Sequence, residues 1–180
     1  MHLIKYIKNF FFCLRYPFWA SRNAFSGKKI KRYYKYTDYD CIPEGWRKVF
    51  GKQLSEDLRK VLKKNKQLHK FYFDQVKEKY GTLRLYGNFS SQEIDEVLDY
   101  YELLSMCYCI FCGKPVRYIT KGWITYVCED CARKDIKPEF LEDCRVTKQD
   151  IPRISKWDQD AQNFVELKLG IDFREKWGLK

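Results

Sequence analysis

Two Cys-x-x-Cys pairs, Cys109/Cys112 and Cys128/Cys131, stand fifteen residues apart, and no other feature of the chain restricts its fold so much. Each pair presents two thiolates from one tight knuckle, Gly113 permits the backbone geometry directly after Cys112, and two knuckles complete a tetrahedral four-sulfur shell. The spacing predicts a zinc ribbon holding Zn2+. Between the pairs, Arg117 to Val127 reads as two short strands around a turn at Lys121-Gly122. Four thiolates leave no coordination position for a reactive water, so the expected role is structural. A pair of disulfides would need an oxidising compartment, and a redox Cys-x-x-Cys does not normally occur twice at this spacing. Cys107 is near enough to substitute as a ligand and ranks below Cys109. Cys13, Cys41 and Cys144 have no partner spacing and read as small apolar residues.

The charge is as uneven as the cysteines are clustered. Of the net +11, nine cations fall in Met1 to Tyr36 (Lys5, Lys8, Arg15, Arg22, Lys28, Lys29, Lys31, Arg32, Lys35), a stretch without a single acid. Such a field attracts nucleic acid, anionic lipid or an acidic protein. With 180 residues, 45% of them hydrophobic and 18% aromatic, the chain has the material for one core with appendages.

The opening segment is apolar but fails as a membrane span, because Lys5, Lys8, Arg15 and Pro17 interrupt it short of the ~20 apolar residues required. It is also a poor secretory signal, with a short apolar run at Phe10 to Leu14 and no small-residue cleavage site behind it. Eight cysteines in a ribbon pattern then point to a reducing cytoplasm. Leu3, Ile4, Ile7, Phe10, Phe11, Leu14 and Phe18 recur at three- and four-residue steps and predict an amphipathic helix ending near Pro17. Its apolar face is expected on the core or on a dimer partner, with peripheral contact to a membrane surface as the second destination. Behind it, Lys28, Lys29, Lys31, Arg32, Tyr33, Tyr34 and Lys35 interleave cations with rings, as a single-stranded nucleic-acid channel does. The same residues also fit a solvated basic strand whose tyrosines pack on the domain.

Pro43-Glu44-Gly45-Trp46 marks a turn and the start of the compact domain. A helix is expected from Ser55, as N-cap, to Asn65, with Leu54, Leu58, Val61 and Leu62 inward. Strands at Phe71 to Val76 and Leu83 to Tyr86 form a hairpin around Glu78-Lys79-Tyr80-Gly81, with Gly81 at positive φ. Ser90 and Glu93 read as a capping box for a helix to Ser105 that buries Ile94, Val97, Leu98, Tyr101 and Leu104 and turns Asp95, Glu96, Asp99 and Glu102 outward. Alternation places Leu83 and Leu85 inside and Arg84 outside. With a turn at Lys79-Tyr80, Val76 faces Leu83 and Lys77 joins Arg84 as a candidate functional face. Arg84 alternatively pairs with an acid of the following helix, such as Asp95 or Asp99. Residues 136–180 read as a tail folding back on the domain, with a short helix over Gln159 to Gly170 and Trp157 and Trp177 as anchors.

The run Phe73-Asp74-Gln75-Val76-Lys77-Glu78-Lys79-Tyr80-Gly81-Thr82-Leu83-Arg84, the acidic helix, Cys-x-x-Cys-Gly, Gly122-Trp123 and the second Cys-x-x-Cys together resemble a family of small phage and prophage proteins of uncharacterised function. The resemblance covers roughly Pro43 to Cys131. It implies phage origin and the zinc site, and it brings no reaction.

Histidine scarcity narrows the chemistry further. Only His2 and His69 are present, neither in a nucleophile or metal pattern, which removes zinc deaminases and histidine-dependent hydrolases. No Gly-x-x-x-x-Gly-Lys loop is available for nucleotides. Asp74 and Glu78 with Lys77 and Lys79 loosely resemble the acid and lysine sets of magnesium nucleases. The expected fold is α+β: a β-hairpin packed with two helices and a four-Cys zinc ribbon (residues 43–135), a basic aromatic arm before it (1–42) and the tail behind. The expected function is non-enzymatic nucleic-acid binding. A phage-encoded inhibitor of a host defence protein is the alternative, and a metal-dependent nuclease the third reading.

Overall fold

The computed structural model describes residues 2–23, 26–30 and 35–144; the Tyr33 and Tyr34 pair, Lys31, Arg32 and the expected helix at Gln159 to Gly170 lie outside them. Helices combine with two small antiparallel sheets, one of β1 and β2, the other ordered β4-β3-β5, which agrees with the α+β expectation.

Helix α1 (His2–Arg15) stops before Pro17, whose ring disfavours helical geometry in the residue ahead of it. The chain then dives inward: Tyr16, Phe18, Trp19 and Ala20 are all buried. Trp19 stacks on Phe73 with ring centroids 4.5 Å apart, and Ile42 joins the same core. The core therefore draws on the segment before Pro43 as well as on the domain behind it.

A helical stretch begins at Glu44, much earlier than Ser55. It runs through α2 (Glu44–Trp46), a π-wound turn (Arg47–Gly51) and α3 (Lys52–Lys64). Ser55 is an interior residue because its hydroxyl has other work. It donates to the Gly51 carbonyl at 2.8 Å and accepts the Trp19 indole N–H at 2.9 Å, which satisfies the one polar atom of a buried tryptophan. Leu54, Leu58, Val61 and Leu62 are buried as their periodicity implies, each contributing about 1.5 to 3 kcal/mol.

Strands β1 (Phe73–Lys79) and β2 (Thr82–Gly87) meet at a two-residue turn of Tyr80 and Gly81, both at positive φ (53° and 75°). Such a turn matches the natural twist of a hairpin. The turn thus sits one residue later than Lys79-Tyr80, and the register shifts with it: Val76 faces Leu85, and Lys77 faces Arg84. A bulge between Phe73 and Gln75 sets Asp74 outside the ladder.

Helix α4 (Gln92–Ser105) covers the free edge of β2. The Ser105 hydroxyl accepts the Leu83 N–H at 2.9 Å and Glu102 Oε1 accepts the Leu85 N–H at 2.6 Å, while Arg84 Nη1 reaches Glu102 Oε2 at 3.0 Å. Edge amides that a third strand would have paired are met by side chains instead. Ile94, Val97, Leu98, Tyr101 and Leu104 are buried as expected, but Glu96 and Glu102 turn inward rather than outward. The capping box does not form. Ser90 bonds Asp95, and Glu93 is drawn to Lys64 and Asn65 on α3. The partner of Arg84 is Glu102, one turn beyond Asp99 and two beyond Asp95.

Burial raises the Glu102 carboxyl above the ordinary carboxylate range, with the Leu85 amide and Arg84 pulling it partly back. A raised folded pKa favours the protonated form, so this group stabilises the fold fully below the unfolded glutamate range and loses that contribution as pH rises through its folded value. Glu102→Gln is expected to flatten this part of the stability profile, read as urea midpoints between mildly acidic and neutral pH. Arg84→Gln, which leaves the carboxylate one partner short, is expected to lower neutral-pH stability by about 2 kcal/mol. A neutral Arg84→Gln, with an unchanged midpoint, would free Arg84 from this structural role.

Candidate metal centre

The first knuckle follows directly from α4. The Cys109 N–H donates to the Lys114 carbonyl at 2.8 Å, and the Gly113 N–H returns to the Cys109 carbonyl at 2.9 Å, with Gly113 at φ 82°. The second pair sits at the start of α5 (Glu129–Asp135), Cys128 just before it and Cys131 in its first turn. Between them β3 (Tyr118–Thr120) and β4 (Tyr126–Val127) pair antiparallel, as expected around Lys121-Gly122. A third strand, β5 (Leu141–Asp143), pairs with the other edge of β3. It lies past Arg133, where no strand was expected.

The knuckles bring all four Sγ atoms of Cys109, Cys112, Cys128 and Cys131 within 4.8 Å of one another, and none of them is in a disulfide. Tetrahedral bonds of ~2.3 Å put thiolate sulfurs roughly 3.8 Å apart, and Cys112 and Cys128 are already at 3.4 Å. The donor set fits a metal ion. Among the described residues these four form the one group of three or more potential ligands so placed.

Electrostatics agree with the geometry. Burial opposes ionisation of Cys112, yet the Lys114 amide and the neighbouring thiols hold it below the ordinary thiol range. Cys131 is pushed up, first by burial and then by hydrogen bonding with the other sulfurs, and Cys128 is pushed up chiefly by burial, with the Cys131 amide pulling it partly back. Four thiols this close cannot all carry charge side by side unless a cation sits among them. Around them Val127 and Ala132 are buried, and Tyr118, Ile136 and Leu141 pack on the cluster. Cys107 is not in the sulfur group: it lies in an adjoining apolar cluster with Met106, Val116 and Tyr126. Cys13 is buried, its thiol pushed up to about 12 chiefly by burial, whereas Cys41 is exposed.

The Pro43-Glu44-Gly45-Trp46 turn proves to be the seat of the first knuckle. The Gly45 N–H donates to the Ile110 carbonyl at 2.9 Å, and the Trp46 indole donates to the Tyr108 carbonyl at 2.8 Å. Gly81 of the hairpin turn backs onto Tyr126 of β4. The segment that carries the four sulfurs therefore touches both the helical stretch and the hairpin.

Outside the sulfur group, Lys28, Lys29 and Lys35 are exposed. The exposed Tyr36 lies between Lys5 and Lys35, whose Nζ atoms are 4.9 and 5.5 Å from its centroid. Lys77 and Arg84 do share one face, as neighbours across the ladder. Lys77 lies over Tyr86, and Arg84 is held by Glu102. Glu78 closes the turn by accepting the Gly81 N–H at 2.6 Å, while Asp74 is exposed at the bulge, and no third ligand joins them among the described residues. A surface that the sequence reading missed is an open groove on the ribbon, lined by Phe111, Thr120, Lys121, Trp123, Ile136, Lys137 and Phe140. Its rings come from three separate segments, so no local pattern announces it. No helix among the described residues is long and apolar enough to cross a membrane. No family model, curated protein or solved structure matches this chain.

Proposed function

We propose that this is a non-enzymatic, zinc-binding protein of phage type whose ribbon holds single-stranded nucleic acid. Zinc is the ion that a closed shell of four thiolates suits best, being tetrahedral and thiophilic. The phage assignment rests on the resemblance carried by Phe73 to Arg84 and the two knuckles. The binding assignment rests on one observation: Phe111, Trp123 and Phe140 line a single groove with Lys121 and Lys137. Trp123 is 80% exposed, and leaving such a ring in water forgoes roughly 2 kcal/mol of burial. Neither lysine is in an ion pair among the described residues. Open rings flanked by uncommitted cations suit a partner with flat π-faces and a negative backbone. The basic stretch at Lys28, Lys29 and Lys35 extends the same character, with Lys31, Arg32, Tyr33 and Tyr34 assigned to it by sequence.

Titrating a labelled single-stranded oligonucleotide at two salt concentrations tests this reading. Trp123→Ala is expected to cost about 1 to 3 kcal/mol of affinity with little change in salt dependence. Lys121→Ala with Lys137→Ala is expected to shallow the salt slope by about 1.4, at ~0.7 per phosphate contact. Absence of binding by the parent chain sinks the reading. Capture of a host protein with little salt dependence would replace it by the inhibitor.

A further inference from the structure

We propose that α1 lies in the plane of an anionic lipid surface, a role beyond the nucleic-acid reading and independent of the ribbon. The helix is mounted with its apolar side outward. Leu3, Ile4, Ile7, Phe11 and Leu14 are between 46% and 71% exposed. At 3.6 residues per turn they form one continuous stripe. The opposite side, Phe12, Cys13 and the following Tyr16, packs inward, Phe12 lying 4.9 Å from both Tyr16 and Tyr39. Only Phe18, of the residues whose spacing predicted an inward face, reaches the core, and Phe10 is half-buried.

The orientation is held by polar contacts on the inner side. Arg15 pairs with Glu56 at 2.6 Å, the Tyr16 hydroxyl donates to the same carboxylate at 2.6 Å, and Arg59 donates to the Arg15 carbonyl at 3.1 Å. Lys5 reaches Asp40 at 3.6 Å. The stripe is therefore presented by a braced helix.

Charge selects the occupant. No acid occurs in Met1 to Tyr36, against nine cations. Lys8 borders the stripe, and Lys8, Lys28 and Lys35 are in no ion pair among the described residues. A second copy is a poor occupant. Stripe against stripe would set Lys8 of each chain along one seam, with no acid of α1 beside it. Nucleic acid has no use for Leu, Ile and Phe on a helix, whereas an anionic bilayer answers both the stripe and its basic rim. Fourteen residues span only about 21 Å against a ~30 Å hydrocarbon core, so the helix lies on the surface and does not cross it.

The test is flotation of the full, metal-loaded chain with vesicles of phosphatidylcholine alone or mixed with phosphatidylglycerol. Binding is expected on the mixed vesicles, weaker in high salt and weak on phosphatidylcholine alone. Ile7→Ser with Phe11→Ser is expected to lower partitioning at least about tenfold without moving the melting temperature, since both side chains are exposed. The same pair should leave oligonucleotide binding intact, and Trp123→Ala should leave vesicle binding intact, so this proposal and the nucleic-acid reading fail separately. No partitioning onto anionic vesicles overturns the proposal, as does equal partitioning of the double variant. A concentration-dependent dimer abolished by that variant assigns the stripe to a second copy and overturns it as well.

Discussion

Cys112→Ser or Cys128→Ser is expected to abolish the folded ribbon, and stripping the metal from the parent chain to do the same. The packing around the sulfurs is thin: Cys109, Cys128, Val127 and Ala132 are the buried members, and two of these four belong to the sulfur group itself. A metal bound by four cysteines contributes about 10 to 16 kcal/mol of apparent folding free energy, against a whole-domain stability of only 5 to 15 kcal/mol. No rearrangement of a three-strand sheet with strands of three, two and three residues can offset that. The damage should spread. Tyr126 backs the hairpin turn at Gly81, and the Trp46 indole depends on the Tyr108 carbonyl for its partner. Amide exchange is therefore expected to accelerate in α4 and around Trp46 as well as in the ribbon. Cys41→Ser is the control, because Cys41 is exposed and far from the sulfur group in sequence. Metal analysis should return one zinc per parent chain and per Cys41→Ser chain. A soluble Cys112→Ser protein that melts like the parent without metal would end the structural-metal reading.

What could be read from the sequence was whatever rests on short-range pattern. The clustering of the four cysteines, β3 and β4, the buried leucines of α3 and the inward face of α4 all follow from short-range spacing, and all are where spacing puts them. The failures share a cause, which is competition from partners distant in sequence. Ser55 has the chemistry of a cap, but Trp19, 36 residues away, needs its hydroxyl. Glu102 looks like a solvent-facing acid until the free edge of β2 supplies two donors for it. The α1 stripe has the period of a core helix, and period alone does not say which side the rest of the molecule occupies. There Phe12, Tyr16, Tyr39 and Glu56 decide it, by binding the other side. β5 has almost no signal of its own; it exists because β3 offers an edge.

Gly45→Ala shows how one such long-range contact is expected to be felt at the metal. A Cβ at Gly45 would lie 2.2 Å from the Cys109 carbonyl oxygen, 2.6 Å from that of Ile110 and 2.7 Å from the Gly113 nitrogen. All three atoms are backbone and belong to the first knuckle or its immediate glycine, so none can swing aside as a side chain would. Either the knuckle lifts off α2 or the start of the helical stretch unwinds. Lifting off forfeits the Gly45 to Ile110 hydrogen bond and the Trp46 to Tyr108 bond, about 1 kcal/mol each, on top of the ~1 to 3 kcal/mol typical of overpacking. The expected loss is therefore about 3 to 5 kcal/mol, which is large for a change of one methyl group and opposite in sign to the usual gain from Gly→Ala in a helix. Because Cys109 is both the obstructed residue and a member of the sulfur group proposed to hold zinc, zinc affinity is expected to fall together with the melting temperature. Competition with a chelator would read the first, and thermal unfolding of the loaded protein the second. Parent-like values in both would mean that the Pro43-Glu44-Gly45-Trp46 turn does not seat the knuckle in solution.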